Sequence, residues 1–172
     1  MKAVILAAGR GDRLRPLTDT VPKPLIEIGG QTLLSRAIGL LQAQGLKDVC
    51  IVTGYLGGLV RQQAENSCTG MRVVCVDNPD YGRTGSMYSL SQLRGMLDDD
   101  IVLIESDLLF EARALNLLLG APQSNAVLTA GLLNNGDDVY VCTNGNAQSA
   151  SNTSGMHPAC TSPGYFPHSR VP

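Results

Sequence analysis

Arg10, Arg13, Arg15 and Lys23 crowd into one short stretch, LAAGRGDRLRPLTDTVPKPL, residues 6–25. Gly9 and Gly11 open it, and Pro16, Pro22 and Pro24 interrupt it, so it reads as an exposed structured loop and not as a helix. Glycines let a backbone turn sharply and come close to a ligand. Successive backbone N–H groups in such a loop form an anion cradle. Against Asp12 and Asp19, the four cations leave the loop locally positive on a chain of net charge −2. Phosphate is the guest that this chemistry fits, gripped bidentately by Arg and as a point charge by Lys. Arg10 and Arg15 are equally readable as solvated loop charges.

A carboxylate stands ready to complement the loop. Asp107 ends the apolar stretch IVLIESD. A carboxylate beside a bound phosphate is the kind of group that Mg²⁺ takes together with phosphate oxygens and water. The alternative use of Asp107 is to cap the helix that follows. Glu105 shares its strand face by the two-residue period and reads as a salt-bridge partner. Ser86 reads as a helix N-cap, and Tyr81 and Tyr88 as surface-packing rings, the alternative for the rings being cation–π contact with a quaternary ammonium. His157 and His168 have no companion that suggests chemistry.

These groups need a scaffold. Lys2–Ala8 is an apolar run, as in a strand buried on both faces. Gln31–Gln44 has a helical apolar stripe, with Gly45 suited to its C-terminal end. Further strands are predicted at Val49–Thr53, Arg72–Val76, Ile101–Glu105, Ala126–Leu132 and Val139–Cys142. Helices are predicted around Leu59–Asn66, Ser86–Leu97 and Ala112–Leu119. Strand and helix alternate, which is the signature of a mainly parallel α/β sheet covered on both faces. Ligands of such sheets bind at the carboxyl ends of the strands near a switch point. The loop at 9–23, the DYGRTGS loop at 80–86 and Asp107 all follow strands and fall at that edge.

Composition sets the bounds. The 172 residues, 44% of them hydrophobic, fit one globular domain. The charge balance gives no sign of a nucleic-acid partner, and no apolar run is long enough to insert in a membrane. The five cysteines lack metal-ligand spacing, and Cys50 and Cys75 read as small core residues, so the chain is expected to be cytoplasmic and reduced. Residues 143–172 have a single formal charge, few aliphatics and no periodicity. They are expected to be an irregular or disordered tail behind a domain at 1–142.

Two phosphate-binding motifs are excluded. The third glycine of G-x-G-x-x-G is replaced by Leu14, and no Walker A string occurs. The whole string LAAGRGDRLRPLT…PKPL instead resembles the signature of the nucleotidyltransferases that attach a nucleoside monophosphate to sugar phosphates and related acceptors. NPDYGRTGSMYSL and LIESDLLFE are most similar to the phosphocholine and 2-aminoethylphosphonate cytidylyltransferases.

The resemblance implies a Rossmann-like three-layer sheet of the nucleotide-diphospho-sugar transferase type. It implies transfer of CMP from CTP to a small phospho- or phosphono-acceptor with release of pyrophosphate. The alternatives are a sugar-1-phosphate nucleotidyltransferase and a non-catalytic nucleotide-binding remnant. It further implies that Leu6, Ala7, Ala8, Gly9 and Gly11 contact the nucleotide. Arg13 would grip the triphosphate, and Lys23 would neutralise charge at the α-phosphate or on the acceptor. Gly85 and Ser86 would lie on the base side, and Asp107 would hold Mg²⁺. The family continues with more strands and a second metal carboxylate. Asp138 is the last acidic residue here, so the C-terminal part is expected to be incomplete or altered.

Overall fold

The computed structural model describes residues 1–122, 125–129, 140–144 and 147–151, the last two segments as backbone. Strand β1, Lys2–Ala7, is followed by a loop containing three single turns of 3-10 helix, Asp12–Leu14, Leu17–Asp19 and Lys23–Leu25. Glu27–Ile28 (β2) and Gln31–Thr32 (β3) then pair as a tight hairpin. Gly29 and Gly30 form its turn at φ 63° and 79°, values that favour glycine at both positions.

Helix α1, Leu33–Ala43, starts behind Thr32, whose Oγ1 accepts the Ser35 N–H at 3.0 Å. It begins later than its apolar stripe predicts, because Gln31 is engaged in β3. Strand β4 (Asp48–Thr53), helix α2 (Gly57–Ser67) and strand β5 (Arg72–Asp77) follow. After them come helix α3 (Ser86–Ser91), strand β6 (Ile101–Glu105) and helix α4 (Ala112–Leu119). Helix α3 stops short of the predicted Leu97. Gln92, Leu93, Arg94 and Met96 each bond three residues back, which tightens the chain out of α geometry, and Gly95 turns it at φ 89°.

The four long strands form one parallel sheet in the order β5-β4-β1-β6. The chain winds outward from β1 to β4 to β5, then returns to add β6 on the other side of β1. The crevice of such a sheet opens between the carboxyl ends of β1 and β6.

Alternate residues of each strand serve opposite faces. Ala3, Ile5, Ala7, Ile51, Val102 and Ile104 pack under Leu34, Ile38, Val60 and Leu115 of α1, α2 and α4. Val4, Leu6, Ala8, Cys50 and Val52 pack on the other face with Leu93 and the half-buried Leu90 and Tyr81. The sheet is therefore covered on both faces, as the strand–helix alternation requires. Burial makes Cys50 an ordinary small core residue and pushes its thiol pKa up. Cys75 packs half-buried against the first face, with its pKa also raised by burial.

The chain divides into two compact units, Met1–Gly120 and Ala121–Pro172, at a point earlier than the change in composition at 143. In the second unit Tyr140–Asn144 (β7) pairs antiparallel with Ala147–Ser151 (β8). Residues 143, 144 and 147–151 are thus strand where composition reads as irregular. Residues 126–129 form no strand, contrary to expectation, while 130–139 lie outside the described residues, as do His157 and His168. Among the described residues no helix is long and apolar enough to cross a membrane.

Candidate active site

A cavity of about 390 Å³ opens at the β1/β6 crevice. Leu6, Ala8, Gly9, Gly11 and Arg13 line it from the β1 side, and Glu105, Ser106 and Asp107 from the β6 side. Lys23 and Pro24 close one end, and Tyr81, Thr84, Gly85, Ser86 and Ser89 close another. All but one of the residues that the resemblance assigns to the site meet here. The exception is Ala7, whose side chain is buried at 1% exposure in the core on the opposite face. Strand periodicity accounts for this, since Leu6 and Ala8 point one way and Ala7 the other.

The loop after β1 is folded upon itself by Gly11, at φ 71°. The Gly11 carbonyl accepts from the Leu14 N–H at 2.9 Å and from the hydroxyl of Thr18 at 2.9 Å. Thr18 is buried although it lies in a charged loop. A Cβ on residue 11 would sit 3.2 Å from Thr18 Cγ2 and 3.3 Å from Lys23 Cβ. That closeness carries Arg13 and Lys23 to one cavity.

The four loop cations divide into two kinds. Arg10 lies 5.4 Å over the Tyr55 ring and 3.8 Å from Asp12, and Arg15 lies 3.0 Å from Asp12 and 3.3 Å from Asp19. Both serve the loop's own structure, whereas Arg13 and Lys23 line the cavity.

Asp107 does not cap a helix. Helix α4 begins only after Glu111, and the Asp107 carboxylate receives Lys23 Nζ at 2.5 Å. Glu105 pairs in register with Leu6 and faces the cavity beside it. Its pKa is raised, chiefly by desolvation. The Ser86 hydroxyl pulls that pKa down, the Asp107 charge pushes it up, and Lys23 pulls it down again. Glu105 makes no ion pair with another described residue, so the salt-bridge reading is corrected. The Ser86 hydroxyl, which also lines the cavity, is the side chain with the largest influence on Glu105.

The second loop hangs from Asn78, fully buried at 0% exposure. Its Nδ2 donates to Thr84 Oγ1 and to Ser89 Oγ, each at 3.0 Å, and its Oδ1 accepts the Asp80 N–H at 2.9 Å. Its own N–H donates to the Thr53 carbonyl at 2.8 Å. Asn78 thereby seats the loop that carries Thr84, Gly85 and Ser86 to the cavity. The signal was present in Asn-Pro-Asp, a turn-forming string whose Asn bonds its own backbone two residues on. Ser86 is not the N-cap of α3. Gly85 occupies that position, and Ser86 begins the helix with its hydroxyl turned to Glu105. Tyr81 lines the cavity, while Tyr88 stays exposed and donates to Asp80 at 3.3 Å.

Residues 3–170 match the MobA-like NTP transferase domain family. The chain is 38% identical over 127 residues to a CMP-5'-(3-aminopropyl)phosphonate synthase of Streptomyces rubellomurinus, covering 74% of this chain and 20% of that protein. It is 34% identical over 111 residues to the choline-phosphate cytidylyltransferase of Streptococcus pneumoniae, covering 64% of this chain and 47% of that one. The solved structure of a CTP:phosphocholine cytidylyltransferase from Streptococcus pneumoniae superposes with a TM-score of 0.56 at 36% identity, over 64% of this chain and 47% of its own. The chain thus spans less than half the length of each of these three. The family match runs over nearly the whole sequence and the sheet and crevice agree with it: this chain belongs to the MobA-like NTP transferase domain family.

Proposed function

We propose that the cavity binds CTP and that the chain serves the transfer of CMP to a small phosphate or phosphonate acceptor. An acceptor oxygen forms a bond to the α-phosphorus. The bond from that phosphorus to the β-bridging oxygen breaks, and pyrophosphate leaves with the electron pair. The acceptor is already an anion, so no protein nucleophile is required. One observation carries the reading. Arg13 and Lys23 of the loop after β1 and Asp107 at the end of β6 converge on one cavity at the switch point of the sheet.

In this reading Arg13 and Lys23 hold the polyphosphate. Leu6, Ala8, Gly9 and Gly11 let it approach the backbone, and Gly85 and Ser86 face the base. Ala7 takes part through its place in the strand, not through its side chain. Mg²⁺ is part of the proposal. The donors that fit it are the hard oxygens of Asp107 and Glu105, which share one cavity wall. When bound, the ion offsets negative charge on the phosphates. Lys23 then has two anionic claimants, Asp107 and the phosphate. The names of the relatives support cytidylyl transfer to phosphocholine-like and phosphonate acceptors. A cytoplasmic setting accompanies a nucleoside triphosphate substrate.

The test is a pyrophosphate-release panel of the four NTPs against phosphocholine, 2-aminoethylphosphonate and glucose 1-phosphate. CTP with one of the first two acceptors is expected to lead, with Arg13→Ala and Asp107→Ala strongly depressed. Preference for glucose 1-phosphate would move the chain to sugar-1-phosphate transfer. Nucleotide binding without pyrophosphate release would make it a binding remnant.

A further inference from the structure

The chain leaves β4 through Gly54 and Tyr55, which carry no phosphate chemistry of their own and do not line the cavity. Tyr55 nevertheless touches both loops that do. Its N–H donates to the Ala8 carbonyl at 3.0 Å, extending the β1–β4 ladder one step beyond the paired Ala7 and Thr53. Its hydroxyl donates to the Asp19 carbonyl at 2.9 Å. Its ring lies 5.4 Å under the Arg10 guanidinium. On its other side it meets the Tyr81 ring at 6.2 Å between centroids, with the planes inclined by 57°.

Gly54 makes this approach possible. A Cβ there would come within 2.7 Å of both the Ala8 carbonyl oxygen and Tyr81 Cβ.

The loop from Gly9 to Pro22 has short turns and no strand ladder to hold it. A loop of that kind loses conformational entropy when a ligand orders it, and a loop already tied down loses less. Tyr55 ties it at its start, near its first arginine and at its far side, and joins it to the second loop through Tyr81. We propose that Tyr55 is a positioning residue that holds the two loops at the spacing the nucleotide requires. This rests on the reading of the cavity as a nucleotide site.

The test combines hydrogen exchange of the ligand-free protein with CTP kinetics on wild type, Tyr55→Leu and Tyr55→Phe. In Tyr55→Leu, peptides covering 9–22 and 80–85 should exchange about tenfold faster, with those of β1 and α1 unchanged. KM for CTP should rise about tenfold with kcat within about twofold, the pattern of lost ground-state binding. Tyr55→Phe keeps the ring and should restore most of the affinity, loosening only the Asp19 end. Unchanged exchange in either loop, or exchange rising equally in the core strands, overturns the proposal. So does an unchanged KM in a protein whose loops have loosened. A wild type that neither binds nor turns over any NTP sinks the functional reading instead, and the exchange arm still decides whether Tyr55 positions the loops.

Discussion

Lys23 and Asp107 stand 84 residues apart in sequence and meet at 2.5 Å across the crevice between β1 and β6. Their side chains are 27% and 38% exposed, so water screens the pair. Pairs of this exposure contribute at most about 1 kcal/mol to stability. Lys23→Ala and Asp107→Ala should therefore shift the unfolding free energy by less than about 1 kcal/mol. The same variants should lower pyrophosphate release roughly 100-fold, the usual loss for one charge removed from an electrostatic site. Denaturant melts beside turnover check this. A large stability loss with normal turnover would make the pair a structural strut.

Glu105 gives a pH-dependent expectation. Its folded-state pKa is raised above the ordinary 4.5. As pH rises, the unfolded chain ionises this group first, so stability present at low pH is lost as the folded value is passed. Glu105→Gln should therefore raise the melting temperature at about pH 8 and leave it nearly unchanged at about pH 4. Equal shifts at both values would show that packing, not charge, is at work.

Asn78 holds three side-chain hydrogen bonds while fully buried. Asn78→Ala leaves Thr84, Ser89 and the Asp80 N–H short of partners, at a cost of roughly 2–3 kcal/mol. Tyr88→Phe removes one exposed bond to Asp80 and should cost under about 0.5 kcal/mol. Chemical denaturation of the two variants in parallel measures the contrast, and equal losses would remove Asn78 from its central place.

Two glycines should respond in opposite ways. Gly54→Ala forces a Cβ against the Ala8 carbonyl and should destabilise by roughly 1–3 kcal/mol. A Cβ on Gly9 meets nothing within 4 Å, so Gly9→Ala should leave the fold intact. Any loss of CTP affinity in Gly9→Ala then reports the ligand's own approach to the backbone. Calorimetric titration of a variant with an unchanged melting temperature would show it.

Much of this was readable along the chain. The parallel α/β layout follows from apolar runs and stripes whose periods differ between strand and helix, a local property of residue order. The glycine- and cation-rich loop is legible because its glycines, cations and prolines stand close together in the chain, directly after an apolar run. Other features are relations between distant segments. Neither Arg10 nor Arg15 differs from Arg13 in type, and only the positions of Tyr55, Asp12 and Asp19 turn them away from the cavity. Periodicity also tells that the Ala7 side chain points away from the cavity that Leu6 and Ala8 line. Tyr55 carries no local signal, because its role lies in what two other loops bring to it.

Residue order alone settles the kind of layers and the presence of a glycine- and cation-rich turn after β1, since both depend on neighbours in the chain. The pairing of Lys23 with Asp107, the hydroxyl facing Glu105 and the bridge made by Tyr55 come from the β5-β4-β1-β6 arrangement. Contacts across that sheet edge join residues many positions apart, and no local pattern encodes which of them will meet.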